Sequence, residues 1–154
     1  MDISDLIDPA GVVASLRVTS KKQALQELAK RASELTGIED RRVFEVLTER
    51  ERLGTTGVGN GIAIPHGKLA GLERLHGLFA RLENPIDFDS IDEQPVDLIC
   101  LLLAPETAGA DHLKALARVS RLLRDSSMCK KLRGTDKADA IYALLTESTA
   151  SHAA

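Results

Sequence analysis

An almost unbroken apolar run near the middle of the chain, Val96–Leu103, sets the strongest limit on the fold, because Asp97 is its only charged residue. A strand that is apolar on both faces has to be covered on both faces, as a central strand between two layers of helices is. The 154-residue chain is 44% hydrophobic, which suffices for one such core. We therefore expect a single α/β domain, a sandwich in which helices flank both faces of a sheet.

Helix and strand signals alternate along the rest of the chain. Ser20 is placed to cap a helix, Gln23 follows in the spacing of a capping box, and Gly37 provides the stop. The predicted strands are Val12–Leu16, Leu75–Leu82 and Val96–Leu103, and the predicted helices lie at 20–37, 40–54, 110–124, 127–133 and 136–145. We assign residues 84–95 to a connecting loop, residues 1–147 to the domain, and residues 148–154 to a disordered tail.

Composition and spacing exclude several functional classes. The 20 Lys and Arg residues against 23 Asp and Glu give no overall positive field for nucleic acid. The apolar runs are too short to cross a bilayer, so we expect a cytoplasmic protein without membrane insertion. Cys100 and Cys129 have no metal or redox spacing, and the four histidines form no HExxH motif. We therefore expect no metal and treat both cysteines as ordinary thiols.

The segment 57–68, GVGNGIAIPHGK, carries the most chemical information. A Walker loop would need a glycine in place of Ile62 and Ser or Thr in place of Leu69, and the dinucleotide-binding pattern would also need its third glycine at position 62. Binding of ATP or NAD is therefore not indicated. What remains is a glycine-rich loop that ends in His66, beside a proline with a fixed φ angle. His66 taken alone would equally suit an ordinary surface loop.

Two residues elsewhere match such a histidine. Arg50 continues the apolar stripe of its helix, so its guanidinium should emerge near the core-facing side and can bind an anion there. It would equally complement the dipole of a helix C-terminus. His112 falls in the first turn of a helix, where free N–H groups favour an anion and disfavour an imidazolium. It also lies on the apolar face and would serve as a core histidine.

Together these stretches resemble a known family. Residues 56–68, with Arg50-Glu51 before them and the segments 94–97 and 110–113 after them, resemble the enzyme IIA domains of the bacterial phosphotransferase system, fructose/mannitol type. Within this family, the sequence resembles the nitrogen-regulatory members most strongly. The resemblance covers residues 4–146 and implies a mixed sheet flanked by helices. It also implies that His66 is phosphorylated, that Arg50 and His112 complete the active centre, and that an HPr-like phosphocarrier protein is the donor.

The resemblance implies a phosphohistidine carrier rather than a free-standing enzyme, and it needs no cofactor. Regulatory target proteins, such as a sensor kinase or regulators of potassium transport, would read its phosphorylation state. An IIA subunit of a sugar-uptake system would use the same residues and remains the alternative. A binding module that has lost phosphotransfer is disfavoured by the presence of all three residues of the centre.

We expect two further sets of residues to support this chemistry. Backbone N–H groups of the glycine-rich loop should stabilise the phosphoryl group. The residues of this loop are Gly57, Gly59, Asn60 and Gly61. Apolar residues around the histidine should form the rim of a shallow concavity that meets the partner protein. The rim residues are Ile62, Ile64 and Leu69.

Overall fold

The computed structural model describes the backbone of residues 1–153 and the side chains of residues 1–147, and in this part of the chain six helices cover one six-stranded sheet. The helices are α1 (Ile3–Leu6), α2 (Lys21–Thr36), α3 (Asp40–Arg52), α4 (Ala110–Arg124), α5 (Ser126–Arg133) and α6 (Ala138–Ala153). The strands are β1 (Val12–Leu16), β2 (Gly57–Gly59), β3 (Ile62–Ala63), β4 (His66–Leu69), β5 (His76–Ile86) and β6 (Val96–Pro105). A short 3-10 helix, Pro9–Gly11, precedes β1.

The sheet is mixed and is organised around β6. Its strand order is β1-β5-β6-β3-β2, and β4 pairs with β6 beyond the end of β3. β5 runs antiparallel to β6, whereas β3 and β4 both run parallel to it. The apolar run identified in the sequence is therefore the central strand, as predicted.

Alternate residues of β6 belong to two separate cores. Ile99 and Leu101 pack into the cluster beneath α2 and α3, whereas Leu98 and Leu102 pack into the cluster beneath α4, α5 and α6. All four side chains are fully buried. Because neighbouring strand residues point to opposite faces, an uninterrupted apolar run is what a sheet covered on both sides requires. The predicted α/β sandwich is confirmed.

Most of the predicted elements are present. The bounds of β1 and α4 agree with the prediction, and Gly37 ends α2 in the left-handed conformation, with φ 76°. β5 and β6 both continue beyond their predicted ends. The expected disordered tail, 148–154, covers the end of α6 and residue 154. Residue 154 lies outside the described residues, and the disorder of the tail stays a prediction. Within residues 1–153, no helix combines the length and the apolar character that a membrane crossing requires.

The glycine-rich stretch was predicted as a loop and is instead built from three short strands. β2 and β3 form a hairpin whose two turn residues, Asn60 and Gly61, have φ angles of 57° and 79°. Positive φ at both central residues is the geometry that an Asn-Gly pair favours in a two-residue hairpin. This dipeptide was the signal for the hairpin. His66 is then the first residue of β4 and does not lie at the tip of a loop.

A glycine in β4 permits an unusually close approach of α3. A Cβ atom built on Gly67 would lie 2.5 Å from Cγ1 of Val46, so α3 packs directly against the backbone of β4. Arg50 follows Val46 by four residues and therefore lies on the same face of α3. The close approach consequently brings Arg50 over His66, the residue that precedes the glycine.

We predict that Gly67→Ala lowers the free energy of unfolding by about 1–3 kcal/mol, since the new methyl group overpacks the contact with Val46. Chemical denaturation of both single variants and of the double variant Gly67→Ala/Val46→Ala would measure this. Because Val46→Ala removes the clashing methyl groups, the second substitution should recover part of the loss. Strictly additive effects of the two substitutions would contradict this explanation of the glycine.

Candidate functional site

Arg50 and His66 are joined by a hydrogen bond between their side chains. Nε of Arg50 donates to Nε2 of His66 over 3.2 Å, and Nδ1 of His66 lies 2.9 Å from the carbonyl oxygen of Ile64. Since a guanidinium only donates and a carbonyl only accepts, these contacts place the imidazole proton on Nδ1. Nε2 therefore carries a free electron pair, held in a fixed direction.

The guanidinium of Arg50 makes a second contact at the end of its helix. Its Nη1 donates to the carbonyl oxygen of Gly54 over 2.9 Å, just beyond the C-terminus of α3. The sequence left two roles open for this residue, a cation for an anion site and a cap for the helix. In the structure, one planar guanidinium makes both the contact with His66 and the contact with the carbonyl of Gly54. A movement that changes one contact therefore also changes the other.

His112 approaches His66 from the other side. It lies in the first turn of α4 and is 7% exposed, and the two ring centroids are 5.6 Å apart with the rings inclined by 72°. Its Nε2 is buried and has no hydrogen-bond partner among the described residues. Burial, and then the electrostatic effects of the neighbouring His66 and Lys68, hold the pKa of His112 below its ordinary value. This ring therefore favours its neutral form.

The three side chains meet in a shallow depression at the protein surface. It is lined by Val46, Glu49, Arg50, Leu53, His66, Gly67, Lys68 and His112. Lys68 lies two residues after His66 in β4 and so belongs to the same face of the strand. The predicted centre of one arginine and two histidines is thus assembled in space, with Lys68 as a cation that the sequence analysis did not single out.

The predicted apolar rim is wrong. Ile62 and Ile64 are 4% and 6% exposed in the core beneath α4 to α6, and Leu69 is fully buried in the other core. Packing within the cores on the two faces of the sheet buries these side chains. The exposed apolar residues near the site are Leu53 at 84% and Leu113 at 69%. Leu113 was detectable as an apolar residue off the buried stripe of α4, whereas no pattern marks Leu53.

The glycine-rich hairpin is not brought to His66. β3 pairs Ile62 with Leu98, whereas β4 pairs His66 with Leu102, a separation of four residues along β6 or about 13 Å. Two of the predicted phosphate-binding N–H groups also have other partners, and Gly61 is closely covered by a side chain. The N–H of Gly57 donates to Thr55 Oγ1, that of Asn60 donates to Asp92, and a Cβ on Gly61 would strike Arg133. Gly59 pairs with Ile62 and so belongs to the same hairpin. We therefore leave Gly57, Gly59, Asn60 and Gly61 out of the site.

His76 and the two cysteines lie outside this centre. His76 begins β5 and does not line the depression, and the side chain of His152 lies outside the described part. Cys100 and Cys129 are buried in the core beneath α4 to α6, and burial raises the pKa of Cys100 to about 12. No cluster of three or more potential metal ligands occurs among the described residues.

Comparison with known proteins agrees with this architecture. Residues 5–148 match the family described as the phosphoenolpyruvate-dependent sugar phosphotransferase system, EIIA 2. The chain is 65% identical over 145 residues to a nitrogen regulatory protein of Bradyrhizobium diazoefficiens, covering 94% of this chain and 95% of that protein. It is 38% identical over 149 residues to the nitrogen regulatory protein of Escherichia coli, covering 96% and 91% of the two chains.

Solved structures give the same result. The crystal structure of nitrogen regulatory protein IIA-Ntr from Neisseria meningitidis superposes with a TM-score of 0.89 at 35% identity, covering 94% of this chain and 99% of that one. IIA mannitol from Escherichia coli gives a TM-score of 0.75 at 19% identity, covering 90% and 97% of the chains, which supports the fold. The chain belongs to the EIIA type-2 family of the phosphotransferase system. Within that family it is similar to the nitrogen regulatory proteins, as the sequence motifs indicated.

We predict that His112 titrates below the ordinary histidine pKa of about 6.5 in an NMR titration of the folded protein. His66→Ala and Lys68→Met should each move this pKa upward, while burial keeps it depressed. Because the folded protein binds this proton more weakly than the unfolded chain, the contribution of His112 to stability is present above pH 6.5 and is lost as the pH falls through the folded pKa. A His112 pKa at or above 6.5 would contradict the described burial.

Proposed function

We propose that this protein is a phosphoryl carrier of a nitrogen-regulatory phosphotransferase system and that it accepts phosphate on Nε2 of His66 from an HPr-like protein in the cytoplasm. The observation that carries the proposal is the fixed tautomer of His66, since the Nδ1 contact with Ile64 directs the free electron pair of Nε2 toward Arg50. Family membership supports phosphoryl transfer as the reaction.

The proposed transfer needs no cofactor and no separate base. The electron pair of Nε2 attacks the phosphorus of a phosphohistidine on the donor, the new N–P bond forms, and the donor N–P bond breaks with its electrons returning to the donor ring. Since Nε2 carries no proton, none has to leave this nitrogen. The Nδ1–H bond to the Ile64 carbonyl stabilises the positive charge that develops on the ring.

Arg50 and His112 have different roles in this proposal. Arg50 must leave Nε2 when the phosphoryl group arrives, and its guanidinium can then bind the equatorial oxygens that share the negative charge. His112 stays neutral because it is buried, so it does not set a second imidazolium against the charge that forms on His66. Its Nε2, which has no partner within residues 1–147, is available to donate to a phosphoryl oxygen in the tautomer that carries hydrogen there.

The open site suits a protein donor. The depression is shallow and is lined by Leu53, and Leu113 follows His112 in α4. Both leucines are exposed apolar side chains of the kind that protein interfaces bury. Arg50 and Lys68 add positive charge, which favours an approaching phosphorylated surface. The sequence identity to nitrogen regulatory proteins supports a regulatory role over a role in sugar uptake. Target proteins such as a sensor kinase or potassium-transport regulators remain part of the proposal.

We predict that His66→Ala abolishes phosphorylation because the variant lacks the accepting nitrogen. Incubation with phosphorylated HPr-like protein from the same organism, followed by intact mass spectrometry, would measure the gain of one phosphoryl group. His76→Ala is the matched control, since it removes another half-buried histidine outside the site and should leave labelling intact. Labelling of the His66→Ala protein would contradict the proposal.

Arg50→Ala should slow transfer by about 10²- to 10³-fold, the range observed when one preorganised charge-stabilising donor is lost. Rapid-quench measurement of phosphoryl transfer gives the rate, and circular dichroism checks that the fold is retained. An unchanged rate in a folded variant would restrict Arg50 to its contact with the carbonyl of Gly54 at the end of α3.

A further inference from the structure

An exposed apolar pair lies at the β2 hairpin, away from His66. Ile91 is 74% exposed and Val58 is 49% exposed. The N–H of Ile91 donates to the carbonyl oxygen of Gly57 over 3.2 Å, so the two apolar residues are carried by hydrogen-bonded neighbouring backbones. Neighbouring exposed apolar residues with a polar rim are the pattern that marks a protein interaction site, whereas a single exposed apolar residue is not.

The surroundings of this pair define the charge of a matching partner. Residues 87–93, here called the acidic segment, read DFDSIDE and contain four acidic residues and no lysine or arginine. The acidic side chains are exposed. Docking surfaces are complementary in charge, so a segment of this sign favours a basic partner. The phosphoryl site carries the opposite sign through Arg50 and Lys68.

The phosphoryl site is linked to this surface through the guanidinium of Arg50. Its Nε binds Nε2 of His66, and its Nη1 binds the carbonyl oxygen of Gly54. A phosphoryl group on Nε2 removes the acceptor of the first bond. Because the guanidinium is planar and rigid, a shift toward the phosphoryl oxygens also changes the second bond.

The loop that contains Gly54 is in turn bound to the acidic segment. Thr55 Oγ1 donates to the carbonyl oxygen of Phe88 over 2.8 Å. A second route begins at Glu51, which accepts from the N–H of Thr56 over 3.0 Å and pairs with Lys21 over 2.9 Å. Lys21 reaches Asp89 over 3.7 Å. Both routes therefore join the loop beside Arg50 to the segment that carries Ile91.

Tight packing keeps the acidic segment in register with the hairpin. Ser90 is 7% exposed, and a Cβ atom on Gly57 would lie 2.5 Å from its hydroxyl oxygen. Phe88, on the other side of Asp89, is fully buried. Because packing holds Phe88 and Ser90 firmly, this part of the segment moves as one unit. A displacement of the Thr55 contact is therefore passed on to Ile91 and is not absorbed by a loose loop.

We propose that Val58, Ile91 and the acidic segment form the surface at which a regulated protein reads the phosphorylation state of His66, and that this surface binds a basic segment bearing an apolar side chain. The dependence of this surface on the phosphorylation of His66 rests on the proposed phosphoryl transfer. Its binding of a basic segment does not depend on that transfer, so the two parts of the proposal can be tested separately.

The first experiment compares NMR spectra of the unphosphorylated and phosphorylated protein, with intact mass measured on the same samples. A mass gain with shifted amide signals at residues 54–56 and 87–91 is the expected result. Glu51→Gln and Thr55→Val should reduce the shifts at 87–91 without preventing phosphorylation. A mass gain that leaves 87–91 unshifted would overturn the inference alone, whereas an absent mass gain would overturn the proposed function.

The second experiment uses the unphosphorylated protein and two synthetic peptides of alternating leucine with lysine or with glutamate. The lysine peptide should bind at residues 57–59 and 87–93, and Ile91→Ser should weaken it at least about tenfold, as expected for loss of one buried apolar anchor. Leu113→Ser, which changes a similarly exposed apolar residue next to His112 in α4, should leave peptide affinity unchanged. Ile91→Ser should accept phosphate at the rate of the parent protein.

Three outcomes of the peptide experiment would overturn the proposed surface. They are equal binding of the glutamate peptide, equal affinity of the Ile91→Ser variant, and shifts confined to the depression around His66. A dimer that forms without peptide and is abolished by Ile91→Ser would assign the surface to a second copy of the chain and would also overturn the proposal. Sedimentation analysis of both proteins distinguishes that case.

Discussion

The contact between Val46 and Gly67 determines the geometry of the site around His66. β4 is fixed by its parallel pairing with β6, so the position of His66 is set by backbone hydrogen bonds. Arg50 is instead carried by a helix, and the distance from a helix to a sheet depends on the side chains between them. With no side chain at position 67, α3 rests on the strand backbone, and a single turn of helix carries the guanidinium to Nε2.

The sandwich architecture explains why two different helical layers meet at this imidazole. α3 belongs to the layer that covers one core, and α4 belongs to the layer that covers the other. β4 lies beyond the end of β3, beside the second half of β6. A residue at the start of β4 is therefore accessible from both layers, and Arg50 and His112 reach it from opposite sides.

The sequence predicted those parts of the structure that depend on local pattern. The unbroken apolar run over β6 implied helices on both faces, and the apolar stripe of α3 placed Arg50 toward the core. It did not predict β4, because Pro65 and Gly67 both argue against a strand. There the pairing with β6 and the packing of α3 override local preference. Ile62, Ile64 and Leu69 are buried in the two cores on either side of the sheet, whereas a loop would have exposed them.

Burial lowers the pKa of His112 and favours its neutral form, which leaves Arg50 and Lys68 as the cations that line the site. In the proposed transfer, an imidazolium at position 112 would repel the charge that develops on His66. Arg50 is the cation in contact with Nε2 of His66, and it divides its donors between His66 and Gly54. In a carrier that must both accept and release phosphate, such a guanidinium has an alternative acceptor on the protein when the phosphoryl group departs. Because one guanidinium binds both groups, a change at Nε2 of His66 also affects the backbone of the loop that contains Gly54.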